Sequence, residues 1–105
     1  MTRLPILITV ISTLAATAAY ADRIDGTWCS PDNRRSVAID GEKGITPAGN
    51  RVTGHYTRHG FTYVIPEGEA GAGGMIAMRQ LSEEQAEVSE PDNQFDTWHR
   101  CDLNS

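Results

Sequence analysis

Beyond residue 21 the apolar positions recur every second residue, and a helical period is almost absent. The clearest case is 51–65. If His59-Gly60 form a two-residue turn, Arg58 faces Phe61 and Tyr56 faces Tyr63. Alternation then puts Val52, Gly54, Tyr56, Phe61, Tyr63 and Ile65 on one face. Thr53, His55, Thr57 and Thr62 take the other. An apolar aromatic face backed by a polar one is what a half-buried antiparallel pair requires. Gly54 interrupts the apolar face, and a glycine there marks a bend or a close approach.

The same period predicts strands at Gly26–Cys29, Ser36–Asp40, Gly44–Thr46, Arg51–Arg58, Phe61–Ile65, Met75–Leu81, Gln85–Ser89 and Phe95–Cys101. Turn signals separate them: Pro31-Asp32-Asn33, Asp40-Gly41, Pro47-Ala48-Gly49-Asn50, the Gly-rich 66–74 stretch and Pro91-Asp92-Asn93. Ser82-Glu83-Glu84-Gln85 has capping-box spacing, enough for one helical turn. No internal repeat or domain linker is visible. About eight short strands in roughly 80 residues predict an all-β fold: a small antiparallel β-barrel, with a β-sandwich as the alternative.

The first 21 residues have a different composition. Arg3 is followed by the apolar run Leu4–Leu14 and by an Ala-rich stretch ending Ala19-Tyr20-Ala21. This is the layout of a cleavable signal peptide, residues 1–21. The apolar run is too short, and too broken by Pro5, Thr9, Ser12 and Thr13, for a membrane span. Cleavage leaves one small domain, residues 22–105, that is periplasmic or secreted and has no membrane insertion. It also removes Arg3 and no acidic residue, shifting the net charge from −5 to about −6. An acidic chain without clustered Lys or Arg argues against nucleic acid and against an anionic membrane surface. It suits a basic partner.

Cys29 and Cys101 lie near the two ends of that domain. An even count in an exported chain predicts a disulfide. Closing a loop of about 73 residues is worth about 4 kcal/mol in the chain-entropy model. First and last strands are neighbours in a closed barrel, so the bond favours that architecture.

Candidate chemistry is sparse. His55 and His59 have H-x-x-x-H spacing, but on a strand four residues span about 13 Å. They would not share a metal. Met75 and Met78 fall on opposite strand faces. The segment Pro66–Gly74 lacks the Lys-Ser/Thr pair of a phosphate loop. Its Glu67 and Glu69 make it a candidate acidic partner loop. There is no G-x-S-x-G elbow, and Glu83-Glu84 lie in a polar connection. Asp96, Trp98 and Arg100 alternate on the last strand, with an Asp96–Arg100 surface contact expected. No catalytic set, metal site or cofactor is called for. Tyr56, Phe61, Tyr63 and Trp98 are the candidate ligand or core face.

Gly26-Thr27-Trp28 resembles the G-x-W signature that opens the barrel in lipocalins and related calycin folds. The resemblance implies that Trp28 plugs one barrel end and that Arg100 packs across its indole, a stacked cation–π contact. Export, size and the cysteine pair also resemble the small periplasmic inhibitors of c-type lysozyme. The functional expectation is a non-enzymatic binding or protein-interaction module of the cell envelope. Its alternatives are a calycin-like barrel for a small ligand and an inhibitor of a basic secreted enzyme such as lysozyme.

Overall fold

The computed structural model describes residues 22–101. The signal-peptide reading of residues 1–21 lies outside them. Nine strands and no helix occur among the described residues. They are β1 Gly26–Cys29, β2 Ser36–Asp40, β3 Lys43–Ile45, β4 Arg51–Thr53, β5 His55–Thr57, β6 Gly60–Val64, β7 Met75–Gln80, β8 Gln85–Ser89 and β9 Phe95–Arg100. All pair antiparallel in one sheet, ordered β4-β3-β2-β1-β9-β8-β7-β6-β5.

The two edges of that sheet, β4 and β5, are consecutive in the chain. A single bent strand therefore joins them and nearly closes a barrel. The bend is Gly54. A Cβ on it would lie 2.4 Å from the Thr62 carbonyl oxygen and 2.7 Å from the Phe61 ring. Its N–H donates to the Glu42 carbonyl at 2.8 Å. This close approach divides the strand expected over 51–58 into two short ones. Below the bend the N-terminal segment covers the free edge of β5. The Ile24 N–H donates to the Arg58 carbonyl at 2.8 Å, and Asp22 pairs with the Arg58 guanidinium.

The hairpin register differs from the expected one. Tyr56 faces Phe61 and Thr57 faces Gly60, so the turn is Arg58-His59. Gly60 is held in the sheet from the other side, where it pairs with Arg79, and the Gln80 N–H binds the His59 carbonyl at 2.8 Å. The slip is by two residues, which preserves parity. The expected apolar face is thus intact, with Phe61, Tyr63 and Ile65 buried and Val52 and Tyr56 packed against them.

Inward positions of β1, β2 and β6 to β9 fill the interior: Trp28, Val37, Ile39, Phe61, Tyr63, Ile76, Met78, Ala86, Val88 and Trp98 form one cluster with Ile24 and Ile65. Met75 points outward, opposite Met78. The Ser82–Gln85 spacing caps no helix. The Leu81 and Ser82 N–H groups both donate to the Gln85 carbonyl, which makes a tight hairpin turn.

The Cys29–Cys101 bond is formed, with 5.1 Å between Cα atoms, and ties β1 to the end of β9. Its presence fits an oxidising compartment. No described helix is long and apolar enough to cross a membrane.

Candidate functional site

Each end of the barrel carries a tryptophan, an arginine, a tyrosine and a carboxylate. At the plugged end the Trp28 indole is fully buried and its Nε1–H donates to the Ile24 carbonyl at 2.8 Å. The Arg100 guanidinium lies 4.4 Å from the indole centroid. It also donates to three carbonyls: Glu83 at 2.6 Å, Asp25 at 2.8 Å and Arg23 at 2.6 Å. One planar fork thus joins the N-terminal segment to the β7–β8 turn across the face of Trp28. Gly26 makes room for it, since a Cβ there would sit 2.6 Å from Arg100 Nη1, and its φ is +120°. Desolvation lowers the Arg100 pKa from its ordinary value, but the group stays a cation.

Asp25 completes this end. Tyr56 donates its hydroxyl to Asp25 Oδ1, and the Gly41 N–H donates to Oδ2 at 2.8 Å. Burial pushes the Asp25 carboxyl up, but these hydrogen bonds and the nearby Arg23 charge outweigh it, holding the carboxyl below its usual range. The bond to Asp25 raises the Tyr56 phenol. Every polar atom named here has a partner.

The loop end is built differently. Two Pro-Asp-Asn turns frame it. In each, the Asn N–H donates three residues back, from Asn33 to Ser30 at 2.8 Å and from Asn93 to Glu90 at 2.9 Å. Both asparagines have positive φ, 61° and 66°. Arg35, just after the first turn, forks onto Glu90, just before the second, at 3.3 and 3.4 Å. The Arg35 guanidinium also lies 5.2 Å from the Trp98 centroid. Trp98 is buried, yet among the described residues its Nε1–H has no hydrogen-bond partner. Burial pushes the Tyr63 phenol up to about 12, helped by the negative charges of Glu69 and Glu90.

The Pro66–Gly74 loop is tied down rather than loose. Ile65 exchanges hydrogen bonds with Gly73 and Gly74 at 2.9 and 2.8 Å. Glu69 Oε2 accepts from Thr46 Oγ1 and Asn50 Nδ2, both at 2.6 Å, and so clamps the loop to the β3–β4 turn. Of the two expected partner-loop acids, only Glu67 is fully exposed. On the adjoining outer wall Val64 pairs with Met75, and Ala77 and Phe95 both pair with Ser89. Val64, Met75 and Phe95 are 53, 56 and 62% exposed.

No family model, curated protein or solved structure matches this chain. Tyr63 and Trp98 come together with Arg35 at the loop end, while Tyr56 belongs to the plugged end and Phe61 to the core. Asp96 and Arg100 do not meet as expected: they stand four positions apart on β9, about 13 Å along the strand, and the Arg100 guanidinium is drawn to carbonyls. His59 Nε2 faces the Asp22 carbonyl at 3.1 Å, and His55 stands on the outer face of β5. Among the described residues no three His, Cys, Asp or Glu side chains gather as a metal site. Asp25, Arg35 and Glu90 went unmarked in the sequence. Their roles depend on contacts 16 to 75 residues apart, although the paired Pro-Asp-Asn turns flanking Arg35 and Glu90 were a usable signal.

Proposed function

We propose that the exported chain is a non-enzymatic interaction module of the cell envelope that engages a basic protein through its loop end and the adjoining wall. The observation that carries this reading is the apolar trio Val64, Met75 and Phe95, left in water beside loops bearing Glu67 and Asp92. Exposed apolar side chains on one wall, rimmed by polar groups, are characteristic of contact surfaces. An acidic rim adds faster encounter with a cationic partner and a salt-dependent affinity. The filled interior favours a wall contact over a calycin-like ligand cavity.

A photo-reactive phenylalanine analogue at position 95 of the exported protein tests this in intact cells. The expected result is a discrete cross-linked protein of high pI, lost on Met75→Asp. No cross-link from position 95 would contradict the reading. Lysozyme is the first purified partner to try, and undiminished lysozyme activity at a large excess of this protein would remove it as the target.

A second reading, a small ligand inside the loop end, is favoured by the orphan Trp98 Nε1–H, which a ligand oxygen would satisfy. A reproducible extra mass on the exported protein in native mass spectrometry would move this reading ahead.

A further inference from the structure

A groove of about 490 Å³ runs over β1 to β4, on the opposite side of the sheet order from the Val64–Phe95 wall. None of the large core side chains Trp28, Phe61 and Tyr63 lines it, so it is a feature of the outer wall. Its floor follows from register. Arg51 faces Ile45, Ile45 faces Ala38, and Ala38 faces Thr27, giving one straight row of outward side chains across four strands. At about 4.8 Å per strand the row is about 14 Å long. Its two inner members, Ala38 and Thr27, are small, and this depresses the surface there. Ile45, 45% exposed, supplies an apolar wall.

The charged end of the row carries the second observation. Lys43 faces Thr53, so Lys43 and Arg51 are diagonal neighbours across the β3–β4 pair, roughly 7–8 Å apart at the backbone. The Lys43 ammonium donates to Thr53 Oγ1 at 3.1 Å. Neither cation forms an ion pair among the described residues, although the chain has 14 acidic groups against 9 basic ones. Asp40 faces Lys43 in the register and lines the groove beside it, with no ion pair between them. Lys43 and Arg51 outnumber the one carboxylate, Asp40, at that end of the apolar trough, and the net positive charge is complementary to a molecule that is anionic at one end and apolar along its length. The volume lies within the usual range for small-molecule sites.

We propose that this groove binds a small amphipathic carboxylate, its head between Lys43 and Arg51 and its alkyl or aromatic body over Ile45, Ala38 and Thr27. Arg51 offers a fork to the two carboxylate oxygens and Lys43 a point charge. The site is independent of the loop-end contact surface and stands or falls separately.

The test is a titration of the uniformly ¹⁵N-labelled exported protein with octanoate, followed by amide shifts, with octylammonium as the charge-reversed control. Saturable shifts confined to 26–27, 38–45 and 51–53 are expected with octanoate and absent with octylammonium. Arg51→Gln and Lys43→Gln, both exposed and away from the core, should each weaken binding by about tenfold. Ala38→Leu should block it by filling the trough, with unchanged spectra elsewhere reporting an intact fold. Lack of saturation, equal binding of octylammonium, shifts centred on Tyr63 and Trp98, or undiminished binding by both Gln variants would each overturn the proposal.

Discussion

The two barrel ends use the same set of groups, an indole, a guanidinium, a phenol and a carboxylate, for different purposes. Trp28, Arg100, Tyr56 and Asp25 are mutually satisfied: the indole N–H, the guanidinium and both carboxylate oxygens all have partners within the fold. Trp98, Arg35, Tyr63 and Glu90 are not. Among the described residues the indole N–H has no partner, and the Arg35 side chain is 45% exposed and held by a single carboxylate. A buried donor left unpaired costs stability, whereas an exposed ion pair returns little. The plugged end therefore carries stability, and the loop end spends some of it on an arrangement that outside groups can complete. The outer walls repeat the contrast in another form. The β6–β9 wall offers apolar side chains beside acids, while the β1–β4 wall offers an apolar trough beside cations.

Substitutions at matched positions should separate the ends. The largest effect is expected from Trp28→Ala, at about 3–5 kcal/mol in urea unfolding. That is much of the roughly 5–15 kcal/mol available to a domain. Comparable loss from a surface variant such as His55→Ala would mean that the assay reports something other than the plug. Replacing both Cys29 and Cys101 by Ala should cost about 2–5 kcal/mol and lower the Tm, since the bond secures β9 beside Trp28. An unchanged Tm would show that the Arg100 fork alone holds that end.

The acid and alkaline limbs of stability should report different groups. Asp25 has a folded pKa below its ordinary value, so its contribution is full above about pH 4 and fades as pH falls through the folded pKa. Asp25→Asn should flatten this acid limb and lower stability at neutral pH. Tyr63 has a folded pKa of about 12 against 10 when unfolded. The unfolded chain then releases its proton first, and stability is lost as pH rises from 10 to about 12. Tyr63→Phe should shrink that alkaline limb to the part left by Tyr56, whose phenol is also raised, and an unaltered limb would contradict the assignment to Tyr63. The smallest effect is expected from Trp98→Phe, which gives up packing volume but also removes an orphan donor. Trp28→Phe breaks a made hydrogen bond and should cost about 1 kcal/mol more.

The alternation of apolar and polar residues was enough to place nearly every strand, because a half-buried sheet writes its pleat directly into side-chain type. The even cysteine count of an exported chain implied the Cys29–Cys101 bond, and Trp98 was a candidate for the ligand or core face. Alternation could not fix the 57–60 turn, since registers two residues apart leave the same faces buried. The alternatives were separated by the β6–β7 ladder holding Gly60. The break at Gly54 was foreshadowed by the missing side chain on an apolar face, but its cause, the Phe61 ring, is seven residues away. The packing of Arg100 over Trp28 followed from the resemblance to calycin barrels. Nothing local marked Asp25, because a buried acid is legible only once Tyr56 and Gly41 are placed around it. Glu69 was read as a partner contact and is spent on Thr46 and Asn50, a demand invisible without the neighbouring turn.

The most direct test of the two-ended account compares Arg100→Ala with Arg35→Ala by urea unfolding at neutral pH. Both variants remove a guanidinium lying over a buried indole, so charge and residue type are matched. Loss of Arg100 leaves three carbonyls and the Trp28 face uncovered, and should cost about 2–4 kcal/mol. Loss of Arg35 should cost less than about 1 kcal/mol. Equal losses, or a larger one for Arg35, would contradict the division of the barrel into an end that holds the fold and an end that meets a partner.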